Sequence, residues 1–168
     1  MSYKASRTGP ASAPGGIANT GVMINVTPVL ASSRYIEQVR RIAPPELVGR
    51  SAELAELAEF CADPSSRYAW WRAPAWTGKS ALMSWFVLHP PAGVRVVSFF
   101  VTSRYAAQSD RRAFCANVLE QLCTLLGEPM PTFTDATLDA QILGKLTDAA
   151  IDCEAAGERL VLLVDGLD

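Results

Sequence analysis

Eight residues, Ala73-Pro74-Ala75-Trp76-Thr77-Gly78-Lys79-Ser80, constrain this chain more than any other stretch. They fit the phosphate-binding loop pattern of a small residue, four variable positions, then Gly-Lys-Ser. Such a loop wraps a polyanion with successive backbone N–H groups, and it needs glycine where the backbone must turn against ordinary sterics. Gly78 fills that place. Lys79 offers a positive charge to β- and γ-phosphates, and Ser80 offers an oxygen to Mg²⁺. The helix that starts there turns its partial positive end toward the anion. The expectation is a triphosphate cradle formed by Ala73, Pro74, Ala75, Trp76, Thr77, Gly78, Lys79, Ser80 and Ala81, with Ala73 standing where the pattern opens on Gly.

The loop's neighbours give it a context. Upstream, Arg67-Tyr68-Ala69-Trp70-Trp71-Arg72 is rich in aromatics and reads as a strand; downstream, Ala81 to Leu88 reads as a helix that stops at His89-Pro90-Pro91. Strand, loop, helix is the order the pattern requires. A second signal comes from Leu160-Val161-Leu162-Leu163-Val164, an aliphatic run without alternation, followed by Asp165-Gly166-Leu167-Asp168. Such a run suits a strand buried on both faces of a parallel sheet, and an acid at its C-terminal tip lies where open α/β sheets bind ligands. Asp165 on its own fits a solvated Asp-Gly turn equally well; coupled to the upstream loop, the turn reading loses ground to a ligand-site acid.

The remaining elements follow from periodicity and caps. A short helix is expected over Ser33 to Ile42, ahead of Pro44-Pro45. Ser51 is the expected N-cap of a helix through Cys61, with Leu54, Leu57, Ala58 and Cys61 on one face. Val94 to Val101 reads as an inner strand. Asp110 can cap a helix whose stripe is Phe114, Val118, Leu122, Leu125 and Leu126, closing before Gly127. A last helix, Asp135 to Ala156, presents Leu138, Ile142, Leu146, Ala149 and Cys153, with Gly157 as its stop. Strands alternating with helices make an α/β layered sandwich around a parallel sheet. Residues 1–45 read as a flexible head rich in Gly, Pro and Ser with that short helix, and 46–168 as the folded domain. Within the head, Ile17 to Val26 reads either as a linker or as a short strand that adds to a partner.

Composition excludes several functions. The net charge is −2, with five Lys/Arg and one acid in residues 1–45 against ten basic and sixteen acidic residues in the remainder, so no basic face offers itself to nucleic acid. Cys61, Cys115, Cys123 and Cys153 form no C-x-x-C pair, and His89 is the single histidine, which argues against a metal centre of thiolates and imidazoles. No apolar run approaches the roughly 20 residues of a membrane span, and no signal peptide is visible, so a soluble cytoplasmic protein is expected. Arg111 and Arg112 read as a solvated helix terminus rather than as arginine fingers, and His89 as a helix-end cation without chemistry. Trp70, Trp71 and Trp85 are expected on core elements, while Trp76 is expected to pack the loop down.

Four pieces together resemble the front half of a STAND-type signalling ATPase, the group that includes NACHT and NB-ARC proteins, and most closely its bacterial members. Val48-Gly49-Arg50-Ser51-Ala52-Glu53-Leu54 is similar to that family's first motif, with Ser51 in place of its usual Glu; Trp76 to Leu82 matches its phosphate loop; Ser98-Phe99-Phe100 resembles its second core strand; Leu163 to Asp168 resembles its Walker B segment. The resemblance implies a P-loop NTPase sandwich that binds ATP and Mg²⁺. It places Val48, Gly49 and Arg50 against adenine, Ser80 and Asp165 on the metal, and Asp168 as the acid that orients water. It also implies a sensor strand between the phosphate-loop strand and the Walker B strand, so that residues 1–168 alone would form an incomplete sheet with two unpartnered strand edges. The functional readings are an ATPase module of a signalling switch, a nucleotide-responsive scaffold that binds without turnover and recruits a protein partner or a second copy, and a small kinase or GTPase on the same fold.

Overall fold

The computed structural model describes residues 34–101 and 110–167. These form a mixed α/β structure of five helices and two strands: α1 (Arg34–Ile42), α2 (Ser51–Ala62), α3 (Lys79–Leu88), β1 (Val94–Phe100), α4 (Arg111–Leu126), α5 (Leu138–Ala155) and β2 (Arg159–Asp165). Of the expected head, 1–45, residues 1–33 lie outside the described residues, and its expected short helix is α1.

Local chemistry sets most boundaries. Asp110 accepts a hydrogen bond from the Ala113 N–H at 2.7 Å, capping α4 as its sequence predicts, and Gly127 ends that helix in the left-handed region at φ 69°. Gly157, at φ 69°, stops the chain just after α5. At α2 the sequence expectation needs correction, because Ser51 is the first helical residue and Arg50 occupies the cap position without a side-chain cap bond. The apolar stripes fall where periodicity puts them: Leu57 and Cys61 of α2, Val118 and Leu122 of α4, and Leu138, Ile142, Ala149 and Cys153 of α5 are buried.

The strands β1 and β2 pair in parallel, from Val94 opposite Arg159 to Phe100 opposite Asp165. The α4–α5 pair joins them and packs on them, and α3 touches both strands and supports α1. Val97, Ser98, Phe99 and Phe100 are all buried, and since successive side chains point to opposite faces, both faces of β1 are covered. Phe99 stacks on Tyr35 with ring centroids 6.1 Å apart and meets Phe114 edge-on at 5.4 Å. The strand β2 differs from its sequence reading: of its residues only Leu163 is buried, and Leu162 is 40% exposed.

Bond directions explain the difference. The Arg159 N–H donates to the Gly93 carbonyl at 2.7 Å and the Val101 N–H to the Asp165 carbonyl at 2.9 Å. In a parallel ladder of this register the odd-numbered residues of β2 therefore bond to β1, and Leu160, Leu162 and Val164 direct their backbone groups away from it. The outer edge of β1 is closed by side chains. The Gln121 amide accepts from the Ser98 N–H at 3.0 Å and donates to the Ser98 carbonyl at 2.8 Å, while the Tyr35 hydroxyl accepts from the Phe100 N–H at 2.6 Å. Among the described residues the far edge of β2 has no such closure. It faces a groove of about 1010 Å³ lined by Trp71, Met83 and Phe86 among others.

Across that groove runs Arg67–Arg72, which the sequence marks as a strand. It is not one: no backbone hydrogen bond ties it to β2 among the described residues, and the sheet contains β1 and β2 alone. An aromatic, extended segment becomes a strand only when a neighbour satisfies its N–H and C=O groups, and the groove separates this one from β2. Trp70, expected in the core, is accordingly 57% exposed. The chain just before that segment is fixed by Arg159. Its guanidinium donates to the carbonyls of Phe60 at 3.1 Å, Cys61 at 3.0 Å and Asp63 at 2.6 Å, and to that of Ser66, while stacking over the Phe60 ring at 5.3 Å. One cation thus caps the C-terminal end of α2 and anchors the start of β2 to it.

Candidate functional site

The site is built where the start of α3 meets the tip of β2. Gly78 precedes α3 with φ 83° and ψ 20°, a left-handed conformation that glycine adopts without a Cβ penalty. Lys79 and Ser80 are the first residues of the helix, so the expected positive end of α3 faces the loop. The Lys79 ammonium folds back across the loop to the Ala73 carbonyl at 2.7 Å. The Thr77 hydroxyl donates to the Pro74 carbonyl at 2.8 Å. Two side chains therefore hold the loop closed upon its own backbone.

Asp165 is the last residue of β2 and reaches the same place. The Ser80 hydroxyl donates to its Oδ2 at 2.5 Å, a bond between residues 85 positions apart in sequence. Gly166 follows in the left-handed region at φ 83°, which lets the chain turn immediately after the carboxylate. The adjacent hydroxyl and carboxylate are hard oxygen donors of the kind Mg²⁺ takes, with further positions left to water or phosphate. Among the described residues no group of three or more His, Cys, Asp or Glu side chains could hold a metal by itself.

The first motif also lies beside the loop. Gly49 has φ 68°, and after it Arg50 directs its guanidinium two ways: one nitrogen donates to Glu53 and the other to the Thr77 carbonyl at 2.5 Å. The hydrogen bond from Arg50 holds the Glu53 carboxyl below the usual carboxylate range. Val48 is 77% exposed. Asp168, the expected water-orienting acid, lies outside the described residues.

Other expectations resolve plainly. Trp76 does not pack the loop down: it is 97% exposed, and at φ 66° it is the one non-glycine residue with positive φ among the described residues. Arg111 pairs with Asp139 and Arg112 with Asp135 at 2.9 Å, exposed ion pairs that link α4 to α5 and the segment before it. His89 stacks on Trp85 with centroids 4.2 Å apart and lies 3.1 Å from the Trp85 carbonyl, as suits a helix end. All four cysteines are buried free thiols, each pushed above its ordinary pKa by burial, which disfavours the reactive thiolate. No helix among the described residues is long and apolar enough to cross a membrane.

Sequence reasoning missed two contributors. One is Glu53 as the group that grips Arg50; its spacing of three residues at the start of a helix was the available signal. The other is the Ala73 carbonyl as the acceptor for Lys79, which no side-chain pattern reveals.

Fold and site together define a mixed α/β domain in which a glycine-turned loop, a helix start and a strand-tip carboxylate converge. The family model described as Nephrocystin 3, N-terminal, matches residues 52–168, more than half of the chain, and the chain belongs to that family. No curated protein and no solved structure gives a match to it.

Proposed function

We propose that this chain carries an ATP-binding, Mg²⁺-dependent P-loop module of the STAND type, serving a signalling switch. The observation that carries the reading is the hydrogen bond from Ser80 to Asp165, which brings the loop and the strand-tip acid to one point although sequence separates them widely. The residues present fit the ligand. Gly78 gives the loop its turn, the α3 start supplies N–H groups, Lys79 supplies charge, and Ser80 with Asp165 supplies the oxygen pair. Bound Mg²⁺ would offset phosphate charge and fix the orientation of the β- and γ-phosphates. With ligand bound, the Lys79 ammonium, now on the Ala73 carbonyl, would serve the phosphate oxygens, and the Ser80 hydroxyl and Asp165 carboxylate, now hydrogen-bonded to each other, would hold the metal.

Calorimetric titration of the full chain with ATP, with and without Mg²⁺, tests the reading. Lys79→Ala should abolish binding, and Asp165→Asn should remove most of its Mg²⁺ dependence. An unchanged affinity in Lys79→Ala would refute the proposal. Phosphate release measured beside binding separates turnover from a nucleotide-holding scaffold.

A further inference from the structure

The Thr77–Gly78 peptide is gripped from outside the loop. Its carbonyl oxygen accepts from Arg50 Nη2 at 2.5 Å, and the same nitrogen lies 3.7 Å from where a Cβ on Gly78 would stand. A trans peptide is planar, with its C=O and N–H pointing in opposite directions. Pinning the Thr77 carbonyl toward Arg50 therefore fixes the Gly78 N–H on the opposite side of the peptide, away from the guanidinium. We propose that Arg50 is a positioning residue of the phosphate cradle: it sets the direction of the Gly78 N–H instead of touching the nucleotide base. The inference rests on the triphosphate reading of the loop.

Three features support it. The guanidinium is a planar fork, and Glu53 in the first turn of α2 holds its other nitrogen, so Arg50 is oriented before any ligand arrives. Glu53 is itself favoured there by the positive end of α2. Moreover, the loop needs an external brace. Trp76 and Gly78 both hold positive φ, a conformation that residues with a Cβ rarely adopt, and Trp76 at 97% exposure gains no burial to offset it. Arg50 reaches this strained stretch from a separate element, the start of α2, and so couples the first motif to the cradle.

The experiment compares Mg·ATP with Mg·tripolyphosphate, which has the phosphates without the base, on the full chain. A positioning role predicts that Arg50→Ala weakens both ligands by the same factor, about tenfold for a loss of one charge-assisted hydrogen bond. Glu53→Gln should give a smaller loss, again equal for the two, and Arg50→Lys should recover part of the affinity. A loss confined to ATP would overturn the proposal in favour of a base contact, and no loss with either ligand would overturn it outright. Should Arg50→Ala fail to fold by circular dichroism, Glu53→Gln and Arg50→Lys decide by the same comparison. Wild-type chain that binds neither ligand refutes the triphosphate reading itself, and this proposal with it.

Discussion

Gly166→Ala is the most demanding test of how the strand tip is built. Gly166 has φ 83°, and a Cβ added there would stand 2.8 Å from the Val101 carbonyl oxygen and 3.2 Å from the Val101 Cβ. The Val101 side cannot retreat freely, because its N–H donates to the Asp165 carbonyl at 2.9 Å in the last bond of the β1–β2 ladder. The left-handed conformation costs alanine about 1–2 kcal/mol. Relieving the clash adds about 1–2 kcal/mol, through backbone displacement or loss of that terminal bond. The expected destabilisation is about 2–4 kcal/mol, a large share of the roughly 5–15 kcal/mol that holds a domain folded. Gly127→Ala is the control: φ is 69°, but nothing lies within 4 Å of the added methyl, so only the conformational cost applies. Urea unfolding followed by circular dichroism would read both. With an m-value of about 2 kcal/mol per molar, Gly166→Ala should move the midpoint down by about 1–2 M and Gly127→Ala by about 0.5–1 M. Equal shifts in the two variants would refute the claim that close approach to Val101 fixes this turn.

Three further outcomes follow, two from the closed edge of the sheet and one from its open edge. Tyr35→Phe strips the acceptor from a buried Phe100 N–H and should cost about 1–3 kcal/mol, measurable in the same unfolding experiment; a change within 0.3 kcal/mol would show that the bond is dispensable. Burial pushes the Tyr35 phenol up to about 12, so the neutral form is the one the fold favours; that contribution is intact below about pH 10, the ordinary tyrosine value, and is lost as pH rises through about 12, which absorbance at 295 nm would follow. In hydrogen exchange, the amides of Leu160, Leu162 and Val164 should exchange ahead of those of Val161, Leu163 and Asp165, whose N–H groups face β1; uniform protection along β2 would contradict the assigned bond directions.

What could be read in sequence divides along a physical line. Loop, helix and cap signals are local: Gly78 before Lys79, Asp110 three residues before Ala113 and Gly127 after Leu126 each act within one turn of chain, and each is found where the pattern puts it. Strand pairing is not local. The run Leu160–Val164 and the segment Arg67–Arg72 carry equally good strand composition, yet only the first has a partner, because β1 lies beside it and a groove lies beside the other. The same rule governs the site. Ser80 and Asp165 were expected together, and their meeting depends on β2 running parallel to β1 and ending beside the start of α3. Arg50 was legible as part of a motif, but its object was not: only the fold shows the guanidinium on the Thr77 carbonyl. Side chains that serve backbone groups, such as Gln121 on Ser98, Tyr35 on Phe100 and Arg159 on the end of α2, leave no periodic trace, since the partner is a peptide unit common to every residue. A buried amide among apolar helix residues, as Gln121 is among Val118, Leu119 and Leu122, is therefore better read as the cap of a sheet edge than as a lapse in the core.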